Sequence, residues 1–197
     1  MKLASHNTMT YLKPSNILLY PFRFIARCQK LSIDEQINHG VRLFDFRISF
    51  DKKGNPIFTH GLMKFKLPKD TTMHSILFKL DCLACKENVW VRIINEKDKD
   101  YECFSLYCGA LERSYKNIKF YGGYNKKGWK LLYSFKNQQP NVIDKYASWN
   151  NDVLNRGTGW LFDDIWPWIY AKLNNKKWRK KYANFDGFLM QDFIGIL

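Results

Sequence analysis

The stretch Gly40-Val41-Arg42-Leu43-Phe44-Asp45-Phe46-Arg47 decides the fold. Side chains alternate across a strand, so Val41, Leu43, Asp45 and Arg47 share one face, while Phe44, Phe46 and Ile48 share the other. The first face begins apolar and ends ionic. A strand lining a barrel interior has this form, because the base of a barrel is packed with side chains and its C-terminal rim carries the polar groups that meet substrate. The gradient recurs outward along the chain in Ala4 with His6, Phe58 with His60, Val142 with Asp144 and Tyr146, and Phe188 with Met190 and Asp192. Strands of one polarity predict a single parallel assembly with one functional end.

The ionisable ends carry a chemistry. Cleaving a phosphate ester by acid-base catalysis needs one imidazole to take a proton, a second to return one, and a fixed cation for the charged oxygens. His6, His60 and Arg47 supply that set, which points to a phosphodiester-cleaving enzyme. Alone, His6 reads more readily as a structural histidine than as a base. Its company of His60 and Arg47 at like parity reverses the weighting and predicts that the three converge on a cavity large enough for a sugar phosphate. His39 and His74 lack such company and read as ordinary residues at a helix end and on a helix surface. Asp144 alone reads equally well as a strand-end cap.

The 197 residues fit one domain spanning 1–197, with enough chain to bury a sizeable core. A complete barrel of eight strand-helix units takes about 250 residues, so some units must be trimmed. Hydrophobic residues at 46% and aromatics at 17% exclude a disordered chain. No apolar run approaches the roughly 20 residues that cross a bilayer, so no transmembrane segment is expected. Met1 leads within a few residues into the His6 strand, leaving no room for a signal peptide. The expected location is cytoplasmic or at a membrane periphery, with secretion only if a leader has been removed.

Lys and Arg number 32 against 18 Asp and Glu, a formal charge of +14. This excess implies an anionic partner, nucleic acid or a lipid surface, or else a merely solvated basic face; composition does not choose among them. Oligomeric state is not legible. Cys82 and Cys85 form a Cys-x-x-Cys pair that could mark a zinc or redox site. They lie, however, within a helical stripe of Met73, Ile76, Leu77, Leu80 and Leu83, and so read as buried reduced thiols.

The remaining segments alternate between the two periodicities. Ser32-Ile33-Asp34-Glu35 has the form of a capping box for a short helix ending at His39, before Gly40. Asp51-Lys52-Lys53-Gly54-Asn55-Pro56 reads as a hairpin-like turn. A helix over 71–86, capped by Asp70 or Thr71, feeds a buried strand at 89–94. Further on come a short helix within 100–115, a strand at 118–121, an irregular or edge strand at 130–135 and a strand at 142–146. A helix from about 163 to 182, with Pro167 in its first turns, leads to a last strand at 188–194 with no helix after it.

In order and spacing these residues resemble the bacterial phosphatidylinositol-specific phospholipases C, relatives of the catalytic X region of eukaryotic phosphoinositide phospholipases. The matching stretches are Ser5-His6-Asn7-Thr8, His39 through Arg47, Thr59-His60-Gly61, residues 87–96, Gly122-Gly123-Tyr124-Asn125 with Trp129, Ile143-Asp144-Lys145-Tyr146, Gly157-Thr158-Gly159-Trp160, and Gln191-Asp192-Phe193. The resemblance implies an α/β fold, a distorted and incomplete TIM barrel, here shortened and lacking the usual first and last helices. It also implies cleavage of phosphatidylinositol to a cyclic inositol 1,2-phosphate and diacylglycerol. By the same resemblance, His6 is the general base, His60 the general acid, and Arg47 the phosphate-binding cation that replaces a calcium ion. Asp192 orients His6, Asp45 supports Arg47, Asp144 hydrogen-bonds the inositol and Tyr146 stacks on it.

Some positions depart from the family. Asn7 stands where bacterial members usually carry Asp; in calcium-using relatives that Asn is a metal ligand. Arg47 argues for metal independence, since guanidinium and calcium would compete for one space, so no cofactor is expected. The family's inositol-contacting lysine aligns with Ile94, and Arg92 and Glu96, on the face of Ile94, are the substitutes. Trp160, Trp166 and Trp168 fall where the family has an exposed aromatic rim, and tryptophan suits a membrane interface. An anionic phospholipid headgroup at a membrane surface is therefore expected ahead of nucleic acid. The competing readings are a catalytically silent basic module that binds lipid or nucleic acid, and a phosphodiesterase for another headgroup.

Overall fold

The structure, a computed structural model, describes residues 1–144 and 167–196. Six strands pair in parallel in the spatial order β7 (Lys119–Asn125), β6 (Trp90–Asn95), β3 (Val41–Phe50), β1 (Lys2–Ser5), β9 (Phe188–Gln191) and β8 (Val142–Ile143). Among the described residues no pairing joins β7 to β8. Three more strands, β4 (Pro56–His60), β5 (Met63–Lys66) and β2 (Lys13–Pro14), extend the sheet antiparallel from β3.

From Leu43 onward the two faces of β3 separate as alternation requires; Val41, expected beside Leu43, packs instead in the cluster of Phe44, where the register with β1 shifts between Leu3–Val41 and Ala4–Leu43. Phe44, Phe46 and Ile48 are fully buried with Ile93 and Phe120, together with Ile76, Leu77 and Leu80 of α3 (Met73–Ala84) and Phe104, Cys108 and Leu111 of α4 (Tyr101–Ser114). Leu43 faces the other way, into a small cluster with Ala4, Tyr121, Phe188 and Met190. Each fully buried aliphatic or phenyl side chain contributes about 1.5–3 kcal/mol, so the outer layer supplies most of the stabilisation and the inner cluster supports the site above it. Between β6 and β7 the register shifts after Ile93, where Gly122 and Gly123 take φ of +99° and +77°. A Cβ on Gly123 would lie 1.9 Å from the Tyr133 carbonyl oxygen, so only glycine fits.

The short helix α2 (Ile33–Asn38) carries the expected capping box, with Ser32 and Glu35 bonded reciprocally. Four expectations need correction. First, β4 is antiparallel to β3, so the His60 strand is not part of the parallel assembly. The turn over 51–55 is too short for a parallel crossover, and Asp51 Oδ1 closes it by accepting from Lys53 N at 2.8 Å and Asn55 N at 2.9 Å. Second, Thr72, not Asp70 or Thr71, caps α3, through a bond from Ser75 N at 3.0 Å. Third, Cys82 and Cys85 are exposed: the buried stripe of α3 runs through Met73, Ile76, Leu77 and Leu80, and helical rotation carries both thiols off it. Fourth, the segment 130–135 forms only a single bridge, Tyr124 to Leu131.

The last described helix, α5 (Pro167–Lys181), buries Tyr170, Ala171, Asn175 and Trp178. Asn175 Nδ2 donates to the carbonyls of Asp192 at 2.9 Å and Phe193 at 3.2 Å, pinning the end of the last strand. No described helix is long and apolar enough to cross a membrane. Tyr146, Trp160 and Trp166 lie outside the described residues.

Candidate active site

Register builds the centre of the site. Ser5 pairs with Gln191 across β1 and β9, so the next residue on each strand, His6 and Asp192, meets its counterpart at the rim. Each is followed by a left-handed residue, Asn7 at φ 45° and Phe193 at φ 48°, which ends the strand and turns the chain away. Such backbone is uncommon outside glycine and collects at functional sites. His6 Nδ1 lies 2.7 Å from Asp192 Oδ1, and His6 Nε2 lies 2.7 Å from Arg47 Nη2. A guanidinium can only donate, so Nε2 accepts and Nδ1 carries the proton toward Asp192. The lone pair of a neutral His6 is thereby presented at Nε2.

Asp45 organises the cations. Its Oδ1 accepts from Arg92 Nε at 2.7 Å, and its Oδ2 accepts from Arg47 Nε at 3.1 Å and from Asn7 N at 3.1 Å. Burial alone would raise the Asp45 carboxyl; Arg92 and then Arg47 overcome it and hold the group well below the carboxylate range. Burial opposes the charge on Arg92 too, but Asp45 and Asp144 keep it firmly protonated. Arg92 Nη1 donates to Asp144 Oδ2 at 2.9 Å. Asp144 and Arg92, both expected to contact a substrate ring, are thus bonded to each other. Glu96 sits on the far side of Arg47, its Oε2 3.6 Å from Nη1, and its Oε1 accepts from Gly61 N at 2.8 Å and Lys126 Nζ at 3.2 Å.

His60 arrives by the β3–β4 hairpin. Its Nδ1 donates to the Ala26 carbonyl at 2.8 Å, which leaves Nε2 as the titrating nitrogen. Burial, reinforced by Arg47 and opposed by Glu96, lowers His60 to about 4. Burial likewise lowers His6, with Asp192 pulling against it. With both values lowered, both rings are neutral at pH 7.

Among the described residues, the cavity against His6 and the cavity against His60 are separate ones. The space against His6 measures about 10 Å³, one water molecule, and His6 and Arg47 are 1% and 3% exposed. The reason lies between the imidazoles: Asn7 Nδ2 is 3.4 Å from His6 Nε2 and 3.5 Å from Cys28 Sγ, and that sulfur is 3.8 Å from His60 Nδ1. A cavity of about 580 Å³ lies against His60, lined also by Leu19, Phe22, Ile25, Leu62, Met63 and Lys126.

The structure therefore gathers His6, Arg47, Asp45, Asp192, Asn7, Arg92, Asp144 and Glu96 into one buried cluster, with His60 joined to it through Cys28. Trp168 stands apart, 48% exposed on α5. Two members escaped the sequence reading. Cys28 follows an aromatic stretch with no motif around it. Gln29, fully buried, donates to the carbonyls of His6 at 3.0 Å and Gln191 at 2.9 Å and so ties the two strand ends together. No sequence signal marks either residue, because their partners come from distant segments.

In fold the chain is similar to solved structures of bacterial phosphatidylinositol-specific phospholipases C. The structure of that enzyme from Listeria monocytogenes matches over 98% of this chain and 87% of its own, with TM-score 0.65 and 16% identity. A histidine-to-tyrosine variant of the Staphylococcus aureus enzyme matches over 100% of this chain and 86% of its own, with TM-score 0.64 and 14% identity. Another Staphylococcus aureus structure, from work on modulation of that enzyme's membrane binding, gives TM-score 0.61 at 14% identity. At such identities the likeness is one of fold. No family model and no curated protein matches the sequence.

Proposed function

We propose that this chain is a metal-independent phosphodiesterase that cleaves phosphatidylinositol to a cyclic inositol 1,2-phosphate and diacylglycerol. The observation that carries the reading is the placement of His6, its Nδ1 on Asp192 and its Nε2 on Arg47, each at 2.7 Å. His6 Nε2 takes the proton of the 2-hydroxyl; that oxygen bonds to phosphorus and the phosphorus–glycerol oxygen bond breaks. His60 Nε2 gives its proton to the departing oxygen. The nucleophile is already tethered beside phosphorus, so proximity is built into the substrate and the protein supplies proton transfer and charge stabilisation.

Arg47 leaves His6 for the phosphate as substrate enters. A phosphate anion between Arg47 and His60 also offsets the charge that depresses His60, raising its pKa so that it can carry a proton as general acid. Cys28 and Asn7 must yield for a sugar to reach His6. The segment from Ile17 to Ile25 contributes to two cavities of about 580 and 540 Å³ and exposes Ile17 83%, Leu18 76% and Phe22 55%; Leu62, 88% exposed, lines the first and Trp168, 48% exposed, the second. This apolar surface, with Arg23, Arg27 and Lys126 among the cavity linings, suits an anionic lipid surface, the place where the leaving diacylglycerol belongs.

The bond between Arg92 and Asp144 favours a second reading, a phosphodiesterase for a headgroup other than inositol, because it occupies the groups the ring would use. Phosphorus NMR of the product from phosphatidylinositol vesicles separates the two. A five-membered cyclic phosphate supports the first; no product from phosphatidylinositol, with release from another phosphodiester, establishes the second.

A further inference from the structure

Cys28 takes no part in the proposed proton transfers, yet its thiol is 1% exposed and sits in the middle of the site. One ligand atom each from His6, Cys28 and Asp192 lies within 4.8 Å of the other two. His60 Nδ1 stands 3.8 Å from the sulfur. Tetrahedral zinc with bonds of about 2.0–2.3 Å holds its ligands roughly 3.3–3.8 Å apart, so atoms at up to 4.8 Å need to close in by about 1 Å, while His6 Nδ1 and Asp192 Oδ1, 2.7 Å apart, open by about 0.6 Å where Nδ1 is the ligand.

We infer that His6, Cys28 and Asp192 form a site for a thiophilic divalent cation of the zinc type, with its fourth position facing His60, and that occupancy switches the site off. Charge favours it. Binding releases the thiol proton, and the cation, thiolate and Asp192 carboxylate then sum to zero in a region that excludes water. The thiolate selects zinc, cobalt and their like over calcium and magnesium. Whichever ring nitrogen of His6 coordinates, the imidazole can no longer act as a base. Arg47 has a place to go when it leaves His6: Glu96 Oε2, 3.6 Å from Nη1, is buried and makes no hydrogen bond among the described residues. Asn7, whose Nδ2 donates to the sulfur at 3.5 Å, has a buried Oδ1 that likewise makes none among the described residues.

The inhibitory half of this inference rests on the proposed phosphodiesterase activity; the binding half does not. The test uses the full chain carrying Cys82→Ser, Cys85→Ser and Cys103→Ser, since these exposed thiols could bind metal themselves. Titration with cobalt(II) should give one equivalent bound, a thiolate-to-cobalt charge-transfer band in the near ultraviolet, and displacement by zinc. Adding Cys28→Ser should abolish the band and weaken zinc by more than the roughly 10–100-fold that an outer-sphere change costs. Adding Cys28→Ala instead should do the same, and circular dichroism identifies which variant is folded. Zinc should inhibit vesicle hydrolysis by the parent chain but not by the folded Cys28 variant. Absence of the band in the triple variant, or its survival without Cys28, overturns the site. A band without zinc inhibition of an active enzyme overturns the switch, whereas a band with no hydrolysis at any metal level condemns the activity and leaves the site standing.

Discussion

His6 and Asp192, 186 positions apart in sequence, meet at 2.7 Å because Ser5 and Gln191 are paired in register one step below them. The contact fixes the proton on Nδ1 and leaves Nε2 to accept. His6→Ala should lower turnover by about a hundred- to ten-thousand-fold, the range for a positioned acid-base group. Asp192→Asn should cost less and also move the acid limb of the kcat/KM profile. Asp192 raises the His6 pKa, so its removal shifts that limb to lower pH.

Asp45 tests the buried charge network. Its carboxylate balances Arg47 and Arg92, and Asp45→Ala leaves both guanidiniums buried without it. Denaturant unfolding should show a loss of about 3–5 kcal/mol, the cost of breaking a buried ion pair from one side. A loss under about 1 kcal/mol would mean that the network contributes little to the fold.

His60 ties stability to acid. Its pKa is about 4 in the folded protein against 6.5 ordinarily, so the unfolded chain binds more protons between those values. Stability from this group is complete above pH 6.5 and is lost as pH falls toward 4. The loss is at most about 3 kcal/mol. Thermal unfolding of His60→Gln should be flatter over that window than unfolding of the parent.

The exposed rim predicts vesicle binding. Trp168→Ala and Leu18→Ala should each weaken partition onto anionic vesicles by about 10- to 100-fold, given roughly 1.5–3 kcal/mol for each large apolar side chain buried. Partition unchanged by the pair would remove this rim from the docking surface.

Much of this was legible because β3 obeys a period of two from Leu43 onward, the irregularity at Val41–Leu43 displacing only Val41 from its expected face. Asp45 and Arg47 had to share a face with Leu43, and Phe44 and Phe46 had to face the helices; the structure has them so. The same rule misled at His60. Parity made its strand a fifth parallel member, whereas the five-residue turn before it allows only a hairpin, and turn length outranks a polarity gradient. Cys82 and Cys85 were placed on the right helix and the wrong side of it. Cys28, Gln29 and the Arg92–Asp144 bond were beyond reach, because each depends on a tertiary contact that leaves no local pattern.

Initial-rate hydrolysis of phosphatidylinositol vesicles by the parent chain, His6→Ala and His60→Ala, each with and without EDTA, tests the central claim most directly. The account predicts that the parent remains active under chelation and that each substitution removes at least about 99% of the rate. Activity that survives both substitutions, or that vanishes when metal is withdrawn, contradicts it.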